Sequence, residues 1–146
     1  MRRLVFVVLA WSSFCVQAQK LFSFDEEGMN RMYVEMNMRG HEVTSLSLMR
    51  LTTNELRGSL VNEFGIKAFD FVYASGKTKV SNVVSFLDKW YIKRVLKKDL
   101  SFLFSATISC HRGKRRVEKD SAGVITLTNE KYKLTYRFSP LNDATE

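Results

Sequence analysis

The stretch IKAFDFVYASGK, residues 66–77, sets Phe69, Phe71 and Tyr73 on one parity and Ala68, Asp70 and Val72 on the other. Successive side chains of a strand point to opposite faces, so this period of two predicts a β-strand with one aromatic side. Ser75-Gly76 then reads as a two-residue hairpin turn, which returns the chain antiparallel through Lys77 to Val84. Working outward, the run from Glu55 to Phe64 puts Leu56, Gly58, Leu60 and Phe64 on one parity. Upstream, HEVTSLSLMRLT (41–52) carries Leu46 and Leu48 on one parity and Met49 and Leu51 on the other, which predicts a bulge near Leu48 and Met49. Before it, RMYVEMNMRG (31–40) places Met32, Val34, Met36 and Met38 on a single side. Strands that follow one another through short turns make an antiparallel meander.

The period changes after Phe86. In FLDKWYIKRVLKKDLSFLF (86–104), Tyr91, Ile92, Val95 and Leu96 share one face of a helix, and Lys89, Lys93, Arg94, Lys97 and Lys98 share the other. Asp88 suits the start of that helix, where a negative charge meets the positive end of the dipole. Trp90 falls among the lysines, as a rim residue near an opening would. Alternation resumes at Ala106, Ile108 and Cys110, passes through the basic turn HRGKRR (111–116), and continues from Val117 to Lys119. A closing hairpin, GVITLTNEKYKLTYRFS (123–139), carries Tyr132, Leu134, Tyr136 and Phe138 on one side of its last strand. These elements predict a mainly β (α+β) domain: a curved antiparallel sheet or unclosed barrel of eight or nine strands, with one amphipathic helix as lid or plug.

Residues 1–18 have the character of a signal peptide. Arg2 and Arg3 precede an unbroken apolar run from Leu4 to Trp11, and Val16-Gln17-Ala18 supplies small residues at the cleavage position. The run is too short to span a bilayer. Cleavage after Ala18 leaves a single domain over residues 19–146, removes two of the net +8 charges and one of the two cysteines, and leaves Cys110 alone. A domain with one thiol has no internal disulfide, so its stability rests on its core, which fits a bacterial periplasmic location. Lipidation at Cys15 is a second reading, disfavoured by Phe14 where a small residue is wanted.

Catalytic chemistry finds little material. Two histidines, His41 and His111, lie seventy residues apart, and His111 adjoins Cys110 on opposite faces of one strand. There is no nucleophile elbow, P-loop or dinucleotide fingerprint. The acidic run Asp25, Glu26 and Glu27 reads as a solvated turn. The expectation is a non-enzymatic protein without cofactor or metal. The sequence pI of about 9.7 suggests nucleic acid at first sight, but an export signal removes the chain from that partner. Contact with an anionic membrane surface or an acidic envelope protein, through Lys93, Arg94, Lys97, Lys98, Arg112, Lys114, Arg115 and Arg116, stands beside simple solubilisation.

Five methionines, Met29, Met32, Met36, Met38 and Met49, crowd into 21 residues. Methionine fills irregular gaps and adapts its shape. Two readings follow: a packed core, or an adaptable wall for acyl chains made by Met32, Val34, Met36, Met38, Leu60, Phe69 and Phe71, with Trp90 and Tyr91 at its margin.

The order of signal, meander, the block GSLVNEFGIKAFDFVYASGKTKV (58–80), the helix FLDKWYIKRVLKKDLSFLF and a terminal hairpin resembles the periplasmic lipoprotein-carrier and lipoprotein-receptor (Lol-type) proteins of diderm bacteria. The resemblance implies an unclosed β-barrel with a helical lid and a hydrophobic cavity that holds acyl chains without chemistry. It is one of pattern over most of the chain, and no functional residue is carried over from it. On this reading the protein carries lipid, lipoprotein or another hydrophobic cargo in the cell envelope. The alternative is an envelope protein-interaction module whose basic loops dock an acidic partner.

Overall fold

The computed structural model describes residues 21–24, 28–107 and 109–141. The proposed signal segment with Cys15, the acidic run at Asp25, Glu26 and Glu27, and Ile108 lie outside the described residues. Nine strands form one antiparallel sheet that does not close. The first five, β1 (Asn30–Met38), β2 (His41–Leu51), β3 (Leu56–Val61), β4 (Lys67–Ala74) and β5 (Lys77–Ser81), run as a meander. A helix, α1 (Trp90–Ser105), follows. Four more strands follow among the described residues: β6 (Cys110–Arg112), β7 (Arg115–Lys119), β8 (Ile125–Asn129) and β9 (Leu134–Pro140). The spatial order β5-β4-β3-β2-β1-β9-β8-β7-β6 joins the two meanders through β1 and β9, and leaves β5 and β6 as edges.

Alternation in the sequence gives this sheet one apolar face. Val34 of β1 lies opposite Ser45 of β2 and Phe138 of β9. Leu60 lies between Ser47 and Phe69. Phe71 faces Gly58 on one side and Val80 on the other. A Cβ at Gly58 would overlap the Phe71 ring, so the missing side chain makes room for that ring. At Ser75 and Gly76 both φ angles are positive, 52° and 77°, the backbone of a type I′ turn.

Helix α1 packs on this face and touches β4 and β5 near one edge and β7 and β8 near the other. One helix can reach both ends of a nine-strand order only if the sheet curves around it. Leu96, Leu100, Phe102 and Leu103 are its buried apolar residues. At its C-terminal end, the Phe104 ring lies 5.3 Å from Phe71 and 5.6 Å from both Tyr73 and Phe22. Phe22 also meets Phe24 at 5.3 Å and Phe138 at 5.9 Å. The segment 21–24 thereby closes that end of the fold with stacked and edge-on rings.

Several local expectations are corrected. The β2 register is continuous through Leu48 and Met49 against both neighbours, without a bulge. Ser45, Ser47 and Met49 point inward instead, and Leu46 and Leu48 are half-buried on the outer face. The small serines fit opposite Val34 and Met32, and the Ser47 hydroxyl donates to the Met32 carbonyl at 3.3 Å. The register irregularity falls between Leu60 and Val61. Phe64 is exposed in a turn, where the Asn62 side chain accepts from the Phe64 and Ile66 amides and ends β3 early. The helix begins at Trp90, and Asp88 precedes its N-cap, Lys89.

Candidate functional site

The polar groups that fix α1 in place define what space is left beside it. Asp99 is fully buried on the helix. Its Oδ1 accepts from Arg115 Nε of β7 at 2.7 Å and from Asn129 Nδ2 of β8 at 2.9 Å. Its Oδ2 accepts from the Tyr136 hydroxyl of β9 at 2.8 Å. One carboxylate therefore ties the helix to three consecutive strands, with its charge compensated as burial requires. Burial, and then the Asp99 charge, hold the Tyr136 phenol well above its ordinary pKa, so it stays a donor. On the opposite side, the Thr78 amide of edge strand β5 donates to Ser101 Oγ at 3.0 Å. That contact satisfies an edge group that would otherwise be open to another strand.

These two ties hold the middle of α1, and its first turns stand away from the sheet. A cavity of about 650 Å³ opens there, between the N-terminal half of α1, the β1–β2 turn and the β8–β9 turn. Its wall is mainly apolar: Met36 and Met38 from β1, Leu134 from β9, and Leu87, Tyr91, Ile92, Val95 and Leu96 from the helix and the turn before it. Trp90 and Tyr91 meet edge-on at 6.0 Å and are both solvent-exposed, as is Met38. The remaining wall contains Arg39, Arg94, Lys98, Arg115 and Lys131, and no acidic side chain. Arg115 is committed to Asp99, whereas Arg39, Arg94, Lys98 and Lys131 have no ion-pair partner among the described residues. Lys131 lies 5.3 Å from the centre of the Tyr132 ring, a cation–π contact that also lines the wall. The first turn of α1 carries no acid, so the positive end of its dipole adds to the same sign of potential.

A second, shallower groove of about 370 Å³ follows the seam between the sheet edges, beside Gly76, Thr78, Ser101 and Ser105, with Lys77, Lys97, Lys98 and Arg112 along it. It shares Lys98 and Arg115 with the first cavity.

The residues singled out from sequence divide between two environments. Met36, Met38, Trp90 and Tyr91 come together at the cavity, with Arg94, Lys98 and Arg115 of the basic set. Val34, Leu60, Phe69 and Phe71 are sealed in the core instead, and Met32 packs against that core. Arg115 is a correction: its guanidinium is turned inward to Asp99 rather than presented on the surface. Lys93 pairs with Asp88 at 2.7 Å. Arg112, Lys114 and Arg116 lie exposed on the β6–β7 hairpin, where Arg116 reaches Glu118 at 3.3 Å. His41 and His111 are both exposed, and no group of three or more His, Cys, Asp or Glu side chains among the described residues is placed to hold a metal ion.

Asp99, Asn129 and Tyr136 were not anticipated as a unit. A signal existed for the first: Leu96, Asp99, Leu100 and Leu103 follow the i, i+3, i+4, i+7 spacing of one helical face, so an acid interrupts an apolar stripe. Lys131 and Arg39 reach the cavity through turns, and Leu134 through the start of β9, whose placement only the strand pairing settles. No protein-family model and no curated protein sequence matches this chain.

Proposed function

We propose that this protein is an exported, non-enzymatic binding protein that shelters apolar cargo in the bacterial envelope, in the manner that its resemblance to lipoprotein carriers implies. The observation that carries the reading is the cavity of about 650 Å³ at one end of the helix–sheet sandwich, apolar inside and edged by exposed Met38, Trp90 and Tyr91. Its volume falls within the range of about 300–1,000 Å³ usual for small-molecule sites. Two methionines on its wall give it the adaptability that a cargo of variable shape needs. The side chains around it support binding rather than bond chemistry.

Native mass spectrometry of the protein purified from its own cells tests this. A co-purifying apolar molecule, displaced by a fluorescent fatty acid, is the expected result. A homogeneous ligand-free species that takes up no fatty acid overturns the proposal.

A second reading, docking of an acidic envelope protein, draws on the exposed Arg112, Lys114 and Arg116 of the β6–β7 hairpin, outside the cavity wall. Arg112→Glu with Arg116→Glu separates the two. Loss of a co-purifying protein in that variant favours docking, whereas an unchanged set of co-purifying proteins with fatty-acid uptake intact favours the carrier.

A further inference from the structure

We infer that the cavity beside the N-terminal half of α1 is a site for one anionic, single-chain amphiphile, its acyl chain against Met36, Ile92, Val95 and Leu134 and its carboxylate or phosphate head among Arg94, Lys98 and Lys131. The inference rests on the binding function proposed above and adds the chemical class of the cargo.

Charge is the first support. The wall holds five cations and no acid. Asp99 neutralises only Arg115, and the other four face the cavity without a described carboxylate. Four unpaired charges of one sign around a single opening add their potentials there, and the field favours an anion at that mouth. An anion placed among them is attracted by that potential, whereas a neutral head gains nothing from it. A cationic head is repelled by it. Arg94 and Lys98 project from successive turns of one helix, and Lys131 comes from the facing β8–β9 turn. The three therefore approach the cavity from two sides.

Volume is the second support. At roughly 30 Å³ for each water-sized group, 650 Å³ accommodates about twenty non-hydrogen atoms. That is one acyl chain with a small head group. A diacyl phospholipid, or the three-chain anchor of a bacterial lipoprotein, exceeds it by a factor of about two to three on the same reckoning. The core on the far side, where Val34, Phe69, Phe71 and Leu103 are fully buried, bounds the cavity in that direction.

The test is titration calorimetry of the purified protein with dodecanoate, monododecanoyl lysophosphatidate, dodecanol, dodecyltrimethylammonium and didodecanoyl phosphatidylglycerol. At least one of the two single-chain anions is expected to bind tenfold or more tighter than dodecanol, and the one that ranks first identifies the head group. The cationic amphiphile is expected to bind weakest, and affinity for the anions falls as salt is added. In the Arg94→Gln/Lys98→Gln/Lys131→Gln variant, whose three side chains are all exposed, the preference for the anions collapses toward unity. An unchanged melting temperature of that variant reports an intact fold. Equal affinity for anions and dodecanol in the parent protein, or a preference that survives the triple substitution, overturns the charge assignment and leaves the binding function standing. Diacyl lipid bound as tightly as the single-chain anions overturns the one-chain assignment. Failure of every amphiphile to bind overturns the binding function itself.

Discussion

The two ends of α1 are built on opposite principles. Around Phe104, six aromatic side chains from the 21–24 segment, β4, the helix and β9 meet within stacking distance. Around Trp90, the sheet supplies flexible methionines and turn cations, and the helix stands off by the width of a cavity. Between them, Asp99 and Ser101 hold the helix to both flanks of the curved sheet. The closed end makes the fold stable, so the open end is released from that task. A void is tolerable at one end because dense packing and a compensated buried charge sit at the other.

Removing the central tie is the strongest way to break this division. Asp99→Ala leaves the Arg115 charge without its partner and the Asn129 and Tyr136 donors unsatisfied in a buried place. The expected loss is about 3–5 kcal/mol in urea unfolding. Next in size is Gly58→Ala, which drives a methyl group into the Phe71 ring at the closed end. It should cost about 1–3 kcal/mol, and ligand affinity of the folded fraction should be preserved.

A smaller effect depends on pH. Burial raises the Asp70 pKa, but hydrogen bonds from Ser59, Asn82 and Lys67 outweigh it and hold the carboxyl below its ordinary 3.8. Because the folded state favours the ionised form, its contribution is complete well above pH 3.8 and is lost as pH falls through the lowered value. Asp70→Asn should therefore narrow the stability gap to the parent protein in acid, measured by melting temperature across pH 2–7. Smallest of all should be Met38→Ala at the open end. A change within about 0.5 kcal/mol is expected for so exposed a side chain, together with weaker uptake of a fluorescent fatty acid. A large stability loss there would show that the open end supports the fold after all.

Strand alternation made β1, β4 and β9 legible, because Phe69, Phe71 and Phe138 leave one parity no other place to go. The helix was legible from its period, and an open sheet with one helix followed. What escaped was whatever depends on a neighbour. In β2 both parities are apolar, and only pairing with Val34 and Met32 decides that Ser45 and Ser47 face inward. Five of the seven residues of the expected acyl wall proved to belong to the core for the same reason: alternation shows which side of a strand is apolar, but not whether the far half of a helix presses on it. The cations at the cavity mouth were visible in part, as Arg94 and Lys98. Arg39 and Lys131 belong to turns 92 residues apart in sequence, brought together by β1 pairing with β9.

That pairing also fixes the order in which the molecule can be made. Within each meander, every strand meets a partner already synthesised and only a few residues away. The join between the meanders sets Met32 against Pro140 and Met38 against Leu134, contacts between residues 108 and 96 positions apart. Such non-local pairing forms late and slowly. Until the last strand leaves the ribosome, β1 carries an unpaired edge, and the helix has only one of its two anchoring flanks. A nascent chain in that condition is adhesive, so a chaperone that masks the first meander would act for as long as β9 is missing.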